Sequence, residues 1–122
     1  MSDEITVSTS LLCKNGNYNF DRRINSVSAD QSAIGANGGV QDIGTGSHEA
    51  VAVGDVSTPG WAIFRNLDDT NFVEIGIDVG ATFYPIAKIL PGEPAAFRLS
   101  SSTLYAKADT ATVKLEFTIL ES

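Results

Sequence analysis

The alternation of apolar and polar residues is the feature that most constrains how this chain can fold. In the segment 112–120, TVKLEFTIL, every second residue from Val113 to Ile119 is apolar, and the residues between them are polar or charged. Successive side chains of a strand point to opposite faces, so the pattern predicts a strand with one buried face. A helix would place Lys114 and Glu116 inside the apolar stripe. No long amphipathic helical period occurs elsewhere, so we expect an all-β protein.

Similar segments follow one another through the second half of the chain. We predict strands within 48–53, 61–66, 71–78, 83–88, 95–99, 104–107 and 112–120. Turn-forming residues separate them at intervals of about 8 to 12 residues, which is typical of a sandwich or barrel. We therefore predict a single antiparallel β-sandwich over residues 1–122, jelly-roll-like, with about eight to ten short strands.

The N-terminal part of the chain carries a hairpin signal of its own. The alternating residues 5–9 precede Asn15-Gly16, the strongest short-range marker of a tight β-turn. After this turn, Tyr18, Phe20, Arg22 and Ile24 share one face of a strand. We expect the first two strands to form a hairpin closed near Asn15-Gly16.

Residues 25–47 differ from the rest of the chain in composition. They are rich in Ser, Gly, Ala and Asn and contain few apolar residues, and their glycines disfavour a helix interior. We expect a long exposed loop or arm here, with one short strand around 40–43. A loop of this length in a compact domain is often functional.

Composition argues against several classes of function. The net charge is −7 and the eight basic residues are scattered, whereas a nucleic-acid or anionic-membrane surface requires clustered Lys and Arg. The single cysteine excludes an internal disulfide and favours a reducing compartment for folding. The N-terminus lacks the basic and apolar regions of a signal peptide, and no apolar run approaches the roughly 20 residues of a membrane helix.

The polar bridge 67–70, LDDT, is the first candidate for chemistry. Oxygen-bearing side chains cluster around it: Asn66, Asp68, Asp69, Asn71, Glu74 and Asp78. Such side chains suit Ca²⁺, but the spacing is not that of an EF-hand loop. Adjacent carboxylates in a polar turn would also point apart and stay solvated, unlike a catalytic pair. We favour a hairpin turn, capped by its own Asp and Asn side chains.

His48 and Cys13 could take part in nucleophilic catalysis, but each has a simpler structural interpretation. His48 could act as the base of a triad, but the preceding GTGS does not match a G-x-S-x-G nucleophile elbow, so a surface histidine is favoured. Cys13 follows Leu11 and Leu12 and is expected to be a small buried hydrophobe. The Gly-rich segments 34–39 and 42–48 match neither phosphate-binding motif. We identify no catalytic, cofactor-binding or metal-binding residue.

Aromatic residues and Arg65 raise the question of a binding surface. Trp61, Phe64, Tyr84 and Tyr105 could form a sugar-binding platform, although aromatics on alternating strands more often belong to a core or interface. Arg65 is expected to pair across the predicted hairpin with Glu74 or Asp68.

Four segments of the sequence resemble a known pattern. GDVSTPGW at 54–61, FRNLDDTNFVEIG at 64–76, PGEPAAFRL at 91–99 and LYAKA at 104–108 are similar to small β-rich virion proteins of tailed bacteriophages. The resemblance covers roughly residues 50–122. It contains no catalytic residues that could be carried over.

The resemblance implies a β-sandwich that assembles on the virion. The expected function is that of a capsid decoration or cement protein, a structural protein and not an enzyme, which clamps neighbouring major capsid subunits, often as a homotrimer. Such a protein would be made in the host bacterial cytoplasm and would reside on the capsid exterior. The alternative is a carbohydrate- or receptor-binding β-sandwich of the phage tail or head–tail region.

Overall fold

The computed structural model describes residues 3–100 and 103–122, and these residues form strands and turns without a helix. The ten strands are β1 (Ile5–Asn15), β2 (Tyr18–Ala29), β3 (Ala36–Ile43), β4 (Glu49–Ala50), β5 (Pro59–Asn66), β6 (Val73–Val79), β7 (Thr82–Ile89), β8 (Pro94–Arg98), β9 (Tyr105–Ala108) and β10 (Val113–Glu121). The predictions of an all-β protein and of about eight to ten strands are therefore confirmed.

The chain forms two compact units, Met1–Ala33 and Ile34–Ser122. The first unit contains the antiparallel hairpin of β1 and β2, and the second contains two four-stranded sheets. The sandwich that the sequence predicts over residues 1–122 is thus built by the second unit. The predicted hairpin turn at Asn15-Gly16 is confirmed, with Asn15 opposite Tyr18 and Gly16 at a φ of 58°.

Strand pairing in the second unit follows jelly-roll order. One sheet has the order β3-β10-β5-β8 and the other β4-β9-β6-β7, with every pairing antiparallel. The first of these eight strands therefore pairs with the last, the second with the seventh, the third with the sixth and the fourth with the fifth. This nesting is the pairing of a jelly roll. The expectation of an antiparallel, jelly-roll-like sandwich is confirmed for residues 34–122.

The core lies between the facing sides of the two sheets. Val113, Leu115 and Ile119 of β10 are fully buried, as the alternation in the sequence predicts, and they pack in one cluster with Val73 and Ile75 of β6. The intervening residues of β10 are exposed as far as Thr118. Burying alternate apolar side chains removes them from water and supplies the main driving force for the two sheets to associate.

The expectation of a long loop over residues 25–47 is wrong. β2 continues to Ala29, and β3 pairs with β10 along its whole length, from Ala36 opposite Leu120 to Ile43 opposite Val113. The short strand expected around 40–43 is part of this longer one. Composition misled the prediction because glycine is depleted in strands on average, whereas pairing with a neighbouring strand can override that preference.

Gly38 shows why this glycine-rich segment can nevertheless be a strand. A Cβ added at Gly38 would lie 2.9 Å from Thr118 Oγ1 and 3.0 Å from the carbonyl oxygen of Phe117. The backbone of β3 approaches β10 too closely there for a side chain without adjustment of the neighbouring atoms. Glycine within a strand often marks such a close approach.

The expectation that 61–66 and 71–78 form one hairpin is also wrong. β5 pairs with β10 and β8, whereas β6 pairs with β7 and β9 in the other sheet. The chain therefore crosses from one sheet to the other between Asn66 and Val73. Alternation shows which residues of each strand face the core, but two consecutive amphipathic strands can pair side by side or face each other across it.

The predicted Arg65–Glu74 pair fails for the same reason. Arg65 lies opposite Glu116 of β10, and its Nε donates to the carbonyl oxygen of Gly92 at 3.3 Å. Glu74 lies opposite Lys88 and Lys107 in the other sheet. Asp68, the other predicted partner of Arg65, instead accepts hydrogen bonds within its own turn.

The remaining predicted strands lie close to their expected positions, but one of them is much shorter than predicted. β7, β8, β9 and β10 overlap the segments predicted from the alternation. The strand predicted at 48–53 is represented only by the two residues of β4, Glu49 and Ala50. Within the described ranges, no helix is long and apolar enough to cross a membrane.

Substitution of Gly76 tests the close packing of β6 and β7. An added Cβ would overlap the carbonyl oxygen of Tyr84 and lie 2.7 Å from Cα of Pro85, so Gly76→Ala requires the backbone to move. We expect Gly76→Ala to reduce the free energy of unfolding by about 2 kcal/mol or more, as overpacking does. Denaturant titration followed by Trp61 fluorescence measures the loss.

Gly46→Ala is the matched control because its added Cβ has no neighbour within 4 Å. We expect a change within about 0.5 kcal/mol for this variant. Equal effects of the two substitutions would show that the contact at Gly76 does not limit stability.

Candidate interaction surface

The connection between β5 and β6 is organised by one buried amide. Asn66 is fully buried, and its Nδ2 donates to the carbonyl oxygens of Asn71 at 2.9 Å and Ile89 at 3.0 Å. Its Oδ1 accepts a hydrogen bond from the backbone N–H of Asp68 at 2.8 Å. Because Asn66 belongs to β5 and Ile89 to β7, this side chain joins the two sheets. The sequence pointed to Asn66 only as a possible cation ligand.

Asp68 has the turn-capping role that the sequence predicts. Its Oδ2 accepts hydrogen bonds from the backbone N–H groups of Asn71 at 2.7 Å and Thr70 at 3.0 Å. These bonds lower the pKa of Asp68 below its ordinary value because they stabilise the charged carboxylate, and the bond from Asn71 has the largest effect. Asp69 next to it is exposed. Among the described residues, no group of three or more His, Cys, Asp and Glu side chains could hold a metal ion.

Removal of the Asn66 side chain should weaken the corner where the sheets meet. In Asn66→Ala, two carbonyl groups and one N–H group lose their side-chain partner. We expect a loss of about 2–4 kcal/mol in the free energy of unfolding, because buried polar groups without partners are costly. Urea denaturation followed by Trp61 fluorescence provides the measurement. Asn19→Ala, at an exposed position of β2, is the control and should change stability by less than about 0.5 kcal/mol.

His48 is a half-buried member of an aromatic cluster, which corrects the expectation of a surface histidine. Its Nε2 lies 2.9 Å from Asp78 Oδ2, and the two side chains are 15% and 24% exposed. The His48 ring stacks on Phe83 with a centroid distance of 5.3 Å and meets Tyr105 edge-on at 5.4 Å. Strand pairing explains the arrangement, because Asp78 lies opposite Phe83 on adjacent strands.

The His48–Asp78 pair is a histidine and an acid without a nucleophile. Asp78 uses its other oxygen, Oδ1, to accept the backbone N–H of Ala81 at 2.9 Å, which caps the turn between β6 and β7. A triad would require a hydroxyl or thiol at the second ring nitrogen of His48. No such contact is found in residues 3–100 and 103–122. The geometry indicates that His48, the residue before β4, anchors this part of the chain to the β6–β7 hairpin.

Glu121 is a buried carboxylate that sequence reasoning missed. Its side chain accepts hydrogen bonds from the backbone N–H groups of Ser57 at 3.0 Å and Thr58 at 2.7 Å, and its own N–H donates to the carbonyl of Gly35. The bonds from Ser57 and Thr58 lower the pKa of the Glu121 carboxyl below its ordinary value of 4.5, and the bond from Ser57 has the largest effect. A signal was present, because Glu121 continues the apolar face of β10 two residues after Ile119.

The lowered pKa of Glu121 predicts an acid-dependent contribution to stability. A carboxyl with a native pKa below its unfolded value stabilises the fold above the unfolded pKa, and the contribution disappears as the pH falls through the native pKa. We expect Glu121→Gln to be less stable than the parent protein at pH 7, with the difference shrinking below about pH 4.5. Thermal unfolding measured between pH 7 and pH 3 checks this.

Glu116→Gln provides the control for the pH series. Glu116 lies on the same strand but on its exposed side. Glu116 lies opposite Arg65, but an exposed pair of this kind contributes little, so we expect this variant to stay within about 0.5 kcal/mol of the parent across the series. A Glu121→Gln difference that stays constant down to pH 3 would contradict the assigned role of the carboxylate.

The four aromatic residues considered as a sugar platform do not share a surface. Phe64 is buried in the core, whereas Trp61 lies on the opposite side of β5, where the Arg98 guanidinium is 5.6 Å from its ring. Tyr105 belongs to the other sheet and packs against His48. Tyr84 of β7 is about half exposed. The structure therefore does not assemble this platform.

Apolar side chains, most of them exposed, lie on one side of the β1–β2 hairpin, here called the apolar hairpin face. Residues directly opposite in an antiparallel pair point to the same side. The apolar members of this face are Ile5, Val7, Leu11 and Cys13 of β1, with Tyr18, Phe20, Ile24, Val27 and Ala29 of β2. Cys13 is exposed on this face, which corrects the expectation of a buried cysteine.

A β-bulge keeps this face continuous along the hairpin. Asn25 and Ser26 of β2 lie opposite the single Ser8 of β1, and the backbone N–H of Ser26 donates to Ser8 Oγ at 2.9 Å. The extra residue shifts the alternation of β2, so that Val27 points to the same side as Ile24. Without the bulge, the apolar residues on either side of it would lie on opposite faces.

Most of the apolar hairpin face is open to solvent. Leu11 is 68% exposed, Tyr18 60% and Val27 50%. Clusters of exposed apolar side chains on soluble proteins commonly mark interaction sites. An isolated two-stranded hairpin is also only marginally stable in water. The hairpin is therefore a candidate interaction surface.

Comparisons of the chain with known protein families, with curated proteins and with solved structures found no match. The fold defines the second unit as an eight-stranded jelly roll.

Proposed function

We propose that this protein is a structural virion protein of a tailed bacteriophage, a decoration or cement protein on the exterior of the head. It would bind neighbouring major capsid subunits through the apolar hairpin face and stabilise the shell without catalysing a reaction. The exposed apolar hairpin is the observation that supports a binding role. The resemblance of the segments in 54–108 to phage virion proteins supports the particular partner.

Two segments of that resemblance meet in the structure. The backbone N–H of Asn66, within FRNLDD, donates to the carbonyl of Glu93, within PGEPAA, at 3.1 Å. The N–H of Gly92 donates back to the carbonyl of Asn66 at 2.9 Å. Segments that are distant in sequence thus form one corner of the jelly roll. This contact supports the interpretation that the shared sequence pattern specifies a structural scaffold, as expected for a protein that acts through its surface.

The copy number of a capsid favours this mode of action. A single hairpin contact is modest, but many identical copies on one shell, linked to one another, would reinforce each contact through effective concentration. We propose a homotrimer as the assembled unit, as the resemblance implies. Light scattering should then give three chain masses, and a strict monomer both in concentrated solution and on the particle would contradict the trimer.

Particles assembled without this protein provide the direct test. Purified protein is added to heads from a phage whose copy of the gene has been deleted, and electron microscopy locates the added density. We expect density on the outside of the head, touching adjacent capsid subunits. Density confined to the tail, or no binding at all, would rule out the proposed role.

Variants of the hairpin test which surface binds the head. Leu11→Asp places a charge on the apolar hairpin face, and losing one buried leucine contact should lower the affinity for heads about tenfold or more. Asn19→Asp places the same charge on the polar side of the hairpin and should leave binding unchanged. Equal binding of both variants would place the contact elsewhere.

A further inference from the structure

The strand edges of the jelly roll are each short or interrupted. β4 has only two residues, and β8 has five and begins with Pro94. β7 contains Pro85 next to a register shift, and β3 contains Gly38 and Gly39. Such features prevent an edge strand from pairing with another chain. These edges of the second unit are thus protected against strand addition.

The β1 edge lacks these protections. β1 is 11 residues long and contains neither proline nor glycine, and among the described strands it pairs with β2 alone. Its only charged residue is Lys14, next to the last position, and every residue from Ser8 to Asn15 is exposed. The outer edge of β2 is different, since it carries the bulge at Ser26 and the charged run 21–23.

We propose that the free edge of β1 pairs with β1 of a second copy of this chain. The two strands run antiparallel around a two-fold axis at Thr9, so that two hairpins form one four-stranded sheet in the order β2-β1-β1-β2. An unpaired edge offers N–H and C=O groups to any extended chain. A second copy fits this edge because its own β1 is complementary to it along its length.

Side-chain matching selects the register around Thr9. Val7 then lies opposite Leu11 of the second copy, and Ile5 lies opposite Cys13, so apolar residues meet apolar residues on one face. A shift of one residue would bring Leu11 opposite Thr6 or Ser8 and would leave fewer apolar pairs. The apolar hairpin faces of both copies therefore become one continuous surface.

Charge complementarity supports the same register. Lys14 of one copy lies opposite Glu4 of the other, and opposite charges placed across two strands stabilise the pairing. Both side chains are exposed. Glu4 Oε1 already accepts the backbone N–H of Gln31 at 3.0 Å, which positions the carboxylate, and a carboxylate can accept several hydrogen bonds. A register centred on Leu11 would instead place Lys14 opposite Ser8.

This pairing does not depend on the proposed virion role, and it is tested on the purified chain. It is also compatible with a trimer, because a two-fold contact between hairpins uses the same patch on both partners and joins neighbouring assemblies. The two proposals therefore fail separately.

Single cysteines placed along β1 locate the axis. In a Cys13→Ser background, Thr9→Cys brings two cysteines directly opposite each other, at a spacing that permits a disulfide. Thr6→Cys is the matched control, because Thr6 would face Leu12 and the two cysteines would be about 20 Å apart. We expect mild oxidation to give at least tenfold more covalent dimer for Thr9→Cys, measured on denaturing gels.

Mixed variants check the register independently. Val7→Cys and Leu11→Cys, each in the Cys13→Ser background, should cross-link with each other and much less with themselves. Adding Thr9→Lys to both places like charges opposite each other at the axis and should reduce this cross-link about tenfold. Adding Asn19→Lys on β2 should leave it unchanged.

The cross-linking results distinguish the proposed pairing from its alternatives. Preferential cross-linking at Thr9, together with the mixed Val7–Leu11 cross-link, supports the pairing. Equal cross-linking at Thr6 and Thr9, a maximum at another position, or no cross-linking at any protein concentration overturns it.

Discussion

The hydrogen bonds of one buried side chain, Asn66, hold the corner on which the jelly roll depends. The chain leaves one sheet at Asn66 and enters the other at Val73, so the polar backbone of the connection must find partners next to the core. Asn66 supplies them by bonding to the backbone of Asp68, Asn71 and Ile89. A buried amide of this kind stabilises one geometry, because any other arrangement would leave polar groups without partners.

Carboxylates that could suggest chemistry serve the fold. Asp68 caps the connection after β5, Asp78 caps the turn after β6 and binds His48, and Glu121 holds the backbone of Ser57 and Thr58 beside the last strand. Each carboxylate accepts backbone N–H groups, the role that acidic side chains often have in turns. This use of acidic residues in turns and strand ends is consistent with a protein that acts through its surface.

The hairpin of the first unit has the opposite character from the jelly roll. The jelly roll has a buried apolar core between two sheets and has short or interrupted edges, whereas the hairpin exposes both most of an apolar face and the long edge of β1. A bulge at Ser26 keeps that face continuous. The face and the edge are distinct surfaces, so one hairpin can support two contacts: the proposed capsid contact through the face and the proposed self-pairing through the edge.

The sequence by itself determined the class of fold, the core-facing residues of β10, the turn at Asn15-Gly16 and the capping role of Asp68, because these depend on local alternation and local hydrogen bonds. Only the tertiary structure decided that β5 and β6 belong to different sheets, that the glycine-rich β3 pairs with β10, and that His48 is half buried. It also placed Glu121 against Ser57 and left the hairpin exposed. Alternation reports which side of a strand faces apolar surroundings, but the identity of the neighbouring strand depends on contacts between residues far apart in sequence.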